Sequence, residues 1–230
     1  MTRIAVIGTG TAVGKTHATR ALTLALAHTG AEVAALKPIE SGVGAGPTDF
    51  DLLARAGTFS VAPPPYAFPD ALSPHLAARR ARRPVRIDVV ADWVRNHPAR
   101  WTFIETAGAL LSPLSLRTTN LDLVVELDCA AVVLVAQDRL GVLHELRACT
   151  LALRVALPDI PLLVLLQPPA RPDTSTGVNA DEVRRLGIAR QVHSLPRHAS
   201  PDHPSVQVAA GRALRALARL TGPASRPPTR

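Results

Sequence analysis

The chain has 230 residues, 47% hydrophobic and 3% aromatic, with a formal net charge of +8. That length suits one α/β domain with a full core, and no apolar run reaches the roughly 18 residues that span a bilayer. The positive charge does not point to nucleic acid, because aromatic stacking platforms are scarce and helix-turn-helix and zinc-finger signatures are missing.

Met1 to Ile4 runs straight into a strand pattern without the features of a secretory leader, which predicts a cytoplasmic protein. Ile4 to Ile7, ending at Gly8, reads as a buried strand. Lys15 to Thr29 reads as a helix stopped by Gly30. Val33 to Leu36 is the next strand; Asp49 to Ala56 and Ile87 to Val94 are helices. Trp101 to Ile104, Ala131 to Ala136 and Leu162 to Leu166 are apolar runs of strand length. Helices are expected at Val142 to Val155, Asp181 to Leu186 and Ser205 to Leu220. The last carries Leu214, Leu217 and Leu220 on one side and Arg212, Arg215 and Arg219 on another. The alternation predicts an α/β fold, a mainly parallel sheet flanked by helices. It forms one P-loop NTPase-like domain over residues 1–220, and the Pro-, Ser- and Arg-rich residues 221–230 are expected to be a disordered tail. In such sheets ligands bind beyond the carboxyl ends of the strands. Cys129 and Cys149 sit in apolar segments and read as core residues rather than a disulfide or metal site.

The strongest local signal is Gly8-Thr9-Gly10-Thr11-Ala12-Val13-Gly14-Lys15-Thr16. It follows a strand and opens a helix, the context a phosphate-binding loop requires. Backbone N–H groups and a helix N-terminus would face phosphate there. Lys15 would reach the β- and γ-phosphates and the Thr16 hydroxyl would meet magnesium. The strict pattern wants glycine where Thr9 stands, and the chain supplies it one position earlier, at Gly8. Every basic side chain except Lys15 and Lys37 is an arginine. A chain so biased keeps lysine where a compact ammonium is needed and a guanidinium fork does not fit. Magnesium on a triphosphate also needs carboxylates. Glu105, ending an apolar strand, is the first candidate; Asp49 and Asp51 follow the loop after the second strand.

From about Ile4 to Pro204 these motifs, in order, resemble the dethiobiotin synthetases. The loop Gly8 to Thr16, Lys37-Pro38-Ile39-Glu40-Ser41-Gly42, the Ser73-Pro74-His75 segment after Tyr66-x-Phe68, Glu105-x-Ala107-Gly108 with Pro113-Leu114, and Leu140-Gly141 all carry the likeness. The resemblance implies an ATP- and Mg2+-dependent ligase that closes a cyclic urea on 7,8-diaminopelargonate with CO2, working as a homodimer. It implies catalytic roles for Lys37, Lys15 and Thr11. It places ATP on Gly8, Thr9, Thr11, Ala12, Val13, Gly14, Lys15 and Thr16, with Gln167 and Pro196 completing the nucleotide site. Magnesium would meet Thr16, Asp49 and Glu105. Substrate would meet Ser41 and, across a dimer interface, Gly141, Val142 and His144.

The sequence departs from the family pattern at Gly10, where Asp is usual, at Thr106 and Ala109, which replace glycines, and at His144 and Gln167, which replace asparagines. These departures motivate a second reading, a paralogue acting on another amine or acid. A third reading, a partition-type ATPase acting through partners, expects a lysine where Gly10 stands. The arginine-faced last helix is expected to pack on the sheet rather than lie on a membrane.

Overall fold

The computed structural model describes residues 1–44 and 46–222. Strands β1 (Thr2–Gly8), β2 (Val33–Leu36), β5 (Trp101–Ala109), β6 (Ala131–Gln137), β7 (Leu162–Gln167) and β8 (Gln191–Ser194) form one sheet in the order β2-β5-β1-β6-β7-β8. Every pairing is parallel. Strands β3 (Ile39–Ser41) and β4 (Tyr66–Phe68) make a separate two-stranded parallel sheet.

The strands are apolar on both faces because helices cover both. Ile4 and Val6 of β1 face α1 (Lys15–Ala27) and α8 (Pro204–Thr221). Ala5 and Ile7 face the layer of α5 (Asn120–Glu126), α6 (Val142–Ala156) and α7 (Asn179–Arg185), as the two-residue period of a strand requires. A third cluster joins the β2 edge to β3, β4, α3 (Pro74–Arg80) and α4 (Ile87–Arg95). Among the described residues no helix is long and apolar enough to cross a membrane, and both cysteines are free.

The strands and helices expected from the sequence are present, with shifted ends. The helix of the first loop stops at Ala27 rather than Thr29, and α2 is Asp49–Ala54. β5 runs to Ala109 rather than Ile104, because it continues beside β1 past a register shift and brings Gly8 opposite Ala109. β3, β4, α3, α5 and β8 were not expected. They are three to seven residues long; α5 is fixed by a reciprocal cap between Thr119 and Asp122. Thr221, assigned by sequence to the tail, is the last residue of α8; residues 223–230 of that expected tail lie outside the described residues.

Candidate active site

Strand β1 delivers Gly8 to the sheet's carboxyl edge, and the loop to α1 wraps back over it. Gly14 at φ 96° and Ala12 at φ 57° both take left-handed backbone, the geometry that turns successive N–H groups into one concavity. Among the described residues, no hydrogen bond uses the N–H of Gly10, Thr11, Ala12, Val13 or Gly14. The loop is held from behind instead. Thr9 donates its N–H to the Val135 carbonyl at 3.0 Å. Gln137 donates to the Ala12 carbonyl at 3.1 Å and Gln167 to the Gly14 carbonyl at 2.8 Å. The φ of Gly14 favours glycine, and a Cβ there would stand 2.5 Å from Gln167 Nε2 and force that amide to shift.

The loop forms one wall of a cleft of about 740 Å³. Both lysines of the chain line it, and both are buried: Lys15 is 7% and Lys37 4% exposed. Lys37 follows β2 and donates to Glu105 Oε1 at 2.5 Å, with Asp49 Oδ2 3.3 Å away. Glu105, 1% exposed in β5, also accepts from the hydroxyls of Thr16 at 3.1 Å and Thr19 at 3.2 Å. Lys15 Nζ donates to the Gly10 carbonyl at 3.1 Å. Burial, and then the nearby Lys37 charge, pull the Lys15 pKa down to about 8. Burial also works against the Lys37 charge, but Glu105 and Asp49 outweigh it and leave that ammonium above its usual range. The charged form is thus favoured at Lys37 by its carboxylate partners and disfavoured at Lys15 by burial.

Glu40, which sequence reasoning passed over, sets the far wall. Its carboxylate accepts from the N–H groups of Asp49 at 2.7 Å and Phe50 at 3.1 Å, so it holds the start of α2 and aims Asp49 at Lys37. Burial raises its pKa first of all. A carboxylate in the short apolar strand after Lys37-Pro38 was the available signal. Asp51, the other carboxylate considered for metal, is engaged in a reciprocal cap with Thr48. His17 and Thr19 on α1 were also missed. Thr19 stands one helical turn after Lys15 and so reaches Glu105; His17, next to Thr16, lines the cleft.

The cleft brings together Thr11, Ala12, Gly14, Lys15, Thr16, Lys37, Ser41, Asp49 and Glu105. The Ser41 hydroxyl donates to the Leu72 carbonyl at 2.6 Å. Gly8, Thr9 and Val13 support the loop from below, with Val13 in the core. Gln167 is buried behind Gly14 and Pro196 is half-buried after β8; neither lines the cleft. Gly141, Val142 and His144 start α6 away from it, with Val142 fully buried and the other two exposed. Thr106 is buried on β5, and Ala109 is pinned by the Ser112 hydroxyl at 2.9 Å.

For a magnesium ion the donor set fits. Glu105, Asp49 and Thr16 offer only hard oxygens around one corner of the cleft. Among the described residues no group of three or more His, Cys, Asp or Glu side chains could cage a metal alone, so the remaining ligands would be phosphate oxygens and water.

Sheet order, loop and buried lysines define a P-loop nucleotide-binding protein. Solved structures agree on the fold: the MinC:MinD cell division protein complex of Aquifex aeolicus matches at TM-score 0.55 with 13% identity, covering 100% of this chain and 99% of that one. The signal recognition particle receptor FtsY of Elizabethkingia anophelis matches at TM-score 0.56 with 15% identity, covering 94% and 65%. A family model described as an AAA domain matches residues 2–200. ATP-dependent dethiobiotin synthetase BioD of Anaeromyxobacter sp. (strain Fw109-5) is 36% identical over 199 residues, 82% of this chain and 88% of that protein. The protein of the same name from Mycobacterium sp. (strain KMS) is 37% identical over 201 residues, 83% and 86% of the two chains. The chain belongs to this AAA-domain family and, among its members, to the dethiobiotin synthetases, which are ATP-dependent ligases.

Proposed function

We propose that this chain is a cytoplasmic, magnesium-dependent dethiobiotin synthetase that closes a cyclic urea on 7,8-diaminopelargonate with CO2 and ATP. One observation carries the reading. The two lysines of the chain, 22 positions apart by their numbers, converge on one buried cleft with Glu105 between Lys37 and the phosphate loop.

The chemistry asks for this. One substrate amine takes up CO2 and gives up a proton to form a carbamate. A carbamate oxygen attacks the γ-phosphorus of ATP and ADP leaves. The second amine then attacks the carbonyl carbon of the mixed anhydride, releasing phosphate and a proton as the ring closes. The first displacement brings anions together, and positioned cations offset that repulsion as the transition state forms. The free N–H groups of residues 10–14 and Lys15 would hold the polyphosphate. Lys37, kept charged by Glu105 and Asp49, would meet the carbamate and the moving phosphoryl group. A magnesium ion bound to Thr16, Asp49 and Glu105 would add Lewis-acid charge at the phosphate oxygens. Thr11 would stand with Lys15 and Lys37 at the carbamate and the transferring phosphoryl group, and Ser41 would contact the diamine or carbamate. The walls must also keep water from the anhydride until the second amine reaches it.

The start of α6 enters this reading only through a second copy of the chain. Gly141 and His144 are exposed and off the cleft, so in a homodimer they would meet the substrate carboxylate of the partner's site. A partition-type ATPase has less support, since Gly10 stands where that class carries its extra lysine.

The test is ADP release from purified protein with ATP, magnesium and bicarbonate, with and without 7,8-diaminopelargonate. Diamine-dependent ADP and a product of dethiobiotin mass are expected. ATP binding without stimulation by this diamine would shift the reading to a paralogue with another amine.

A further inference from the structure

The densest run of basic residues, Arg79, Arg80, Arg82 and Arg83, has no part in the reaction above. The fold divides it. Arg80 pairs with Asp70, while Arg83 donates to the Pro65 carbonyl and lies over the Tyr66 ring. Arg79 and Arg82 line a second pocket of about 460 Å³ together with Arg117, and this pocket shares no lining residue with the cleft. Among the described residues none accepts a hydrogen bond from these three guanidinium groups, and no carboxylate lines the pocket. The other polar side chains there, His75 and Ser115, are already bonded to Ser73 and Thr118 at 2.7 Å each. The base is apolar, with Ala78, Val85 and Leu114 buried.

Two features of the rim go against local stability. α3 ends in a Schellman turn, in which the Arg83 N–H donates to the Ala78 carbonyl at 2.9 Å and the Arg82 N–H to the Arg79 carbonyl at 3.2 Å. The left-handed position of that turn is normally glycine. Here it is Arg82, at φ 50°. Glycine would serve the turn better, so the turn does not account for the arginine. Across the pocket, Leu116 is 92% exposed. The Ser115 hydroxyl accepts from the N–H groups of Arg117 at 3.1 Å and Thr118 at 3.0 Å, which fixes the tip that carries Leu116 and keeps it from folding inward.

An apolar base under unpaired guanidinium groups selects its ligand by chemistry. A guanidinium fork takes a carboxylate through paired hydrogen bonds, and the apolar lining takes a hydrocarbon stem. The volume suits a small molecule, whose sites span roughly 300–1,000 Å³. A polyanion such as nucleic acid would use the whole arginine run, and two of its four members are engaged elsewhere.

We propose that the pocket between α3 and the turn at residues 114–118 is a binding site for an aliphatic carboxylate, with the chain on Ala78, Val85 and Leu114 and the carboxylate among Arg79, Arg82 and Arg117. The site depends neither on the nucleotide nor on the amine assigned to the cleft.

The test is calorimetric titration of decanoate into the wild-type chain, with decylammonium, acetate and inorganic phosphate as controls. Decanoate should bind at one site per chain and the three controls should not. Arg82→Gly removes a guanidinium and suits the backbone at that position, so it should melt no lower than wild type and weaken decanoate at least about tenfold, the scale of one charge-assisted hydrogen bond. Arg117→Ala should weaken it similarly. Arg80→Ala, from the same run but paired with Asp70, should bind as wild type does. Decanoate binding unchanged in both Arg82→Gly and Arg117→Ala, or matched by decylammonium, would overturn the proposal. Absence of decanoate binding to wild type would overturn it as well; a lower mass of Arg82→Gly in sedimentation would then make the pocket a contact between copies of the chain.

Discussion

Two helices of this molecule begin in the same way. α1 starts at Gly14 with φ 96° and α6 at Gly141 with φ 94°, and neither has a side-chain cap. Both follow a strand at the sheet's carboxyl edge and both point a positive dipole outward. Their surroundings differ. Gly14 is backed by Gln167 and opens on a cleft walled by Lys15, Lys37 and Glu105, where low solvent access strengthens charge interactions. Gly141 has nothing nearer to a Cβ than Arg139 at 3.7 Å and opens on solvent. The backbone device is shared, and burial with fixed countercharges turns only one of the two into a place for phosphate chemistry. The two starts are also tied together, since Thr9 donates to Glu145 of α6 at 3.0 Å and Glu145 pairs with Arg139 at 2.6 Å.

The largest expected effect falls at the buried end. Lys37→Ala should cut diamine-dependent turnover by about 10²–10³-fold, the scale of losing one positioned charge in a closed site, while ATP still binds. It also leaves Glu105 buried without its cation, so Lys37→Met should melt lower than the double variant Lys37→Met/Glu105→Gln. Equal melting of the two would contradict the assigned coupling.

The next effect separates the glycines. Gly14→Ala meets both strain and a 2.5 Å clash with Gln167. Gly141→Ala meets left-handed strain only, about 1–2 kcal/mol. Denaturant titration should therefore find Gly14→Ala the more destabilised, with its ATP binding lost; a smaller cost at Gly14 than at Gly141 would break the comparison.

A pH prediction sharpens it further. In the proposed site Lys15 would bind phosphate as a cation, and burial pulls its pKa down to about 8. ATP affinity should fall as pH rises through that value, and a flat profile from pH 7 to 9 would remove Lys15 from the phosphate site. The stability effect has the opposite sign. Between about 8 and the ordinary lysine value of 10.5 the unfolded chain holds the Lys15 proton more tightly than the folded one. Stability of wild type relative to Lys15→Met should rise over that window, by up to roughly 3 kcal/mol. The smallest effect is Thr9→Val, which removes the link to Glu145 and should cost about 0.5–1.5 kcal/mol in a chemical melt.

Much of this was readable in the sequence, for physical reasons that differ by element. The sheet strands announce themselves because a doubly covered strand must be apolar throughout, as Ala131 to Ala136 is. The phosphate loop is legible because its glycines and lysine stand between a strand and a helix. The lysines stand out because the rest of the basic set is arginine. The short pieces were not legible. β3, β4 and α3 exist because they pack on the β2 edge, and three to seven residues cannot display a period. Glu40 escaped for a related cause. Its role depends on what the chain folds over it, an N-terminal turn of α2.

The central claim is that a carbamate oxygen, brought against ATP between Lys15 and Lys37, ends in the released phosphate. Rapid-quench turnover with 18O-labelled bicarbonate and the diamine measures this directly. The account predicts phosphate carrying one 18O atom from bicarbonate, with the signal lost in Lys37→Ala. Phosphate formed at the same rate but without label would mean that water attacks ATP here, and would contradict the account.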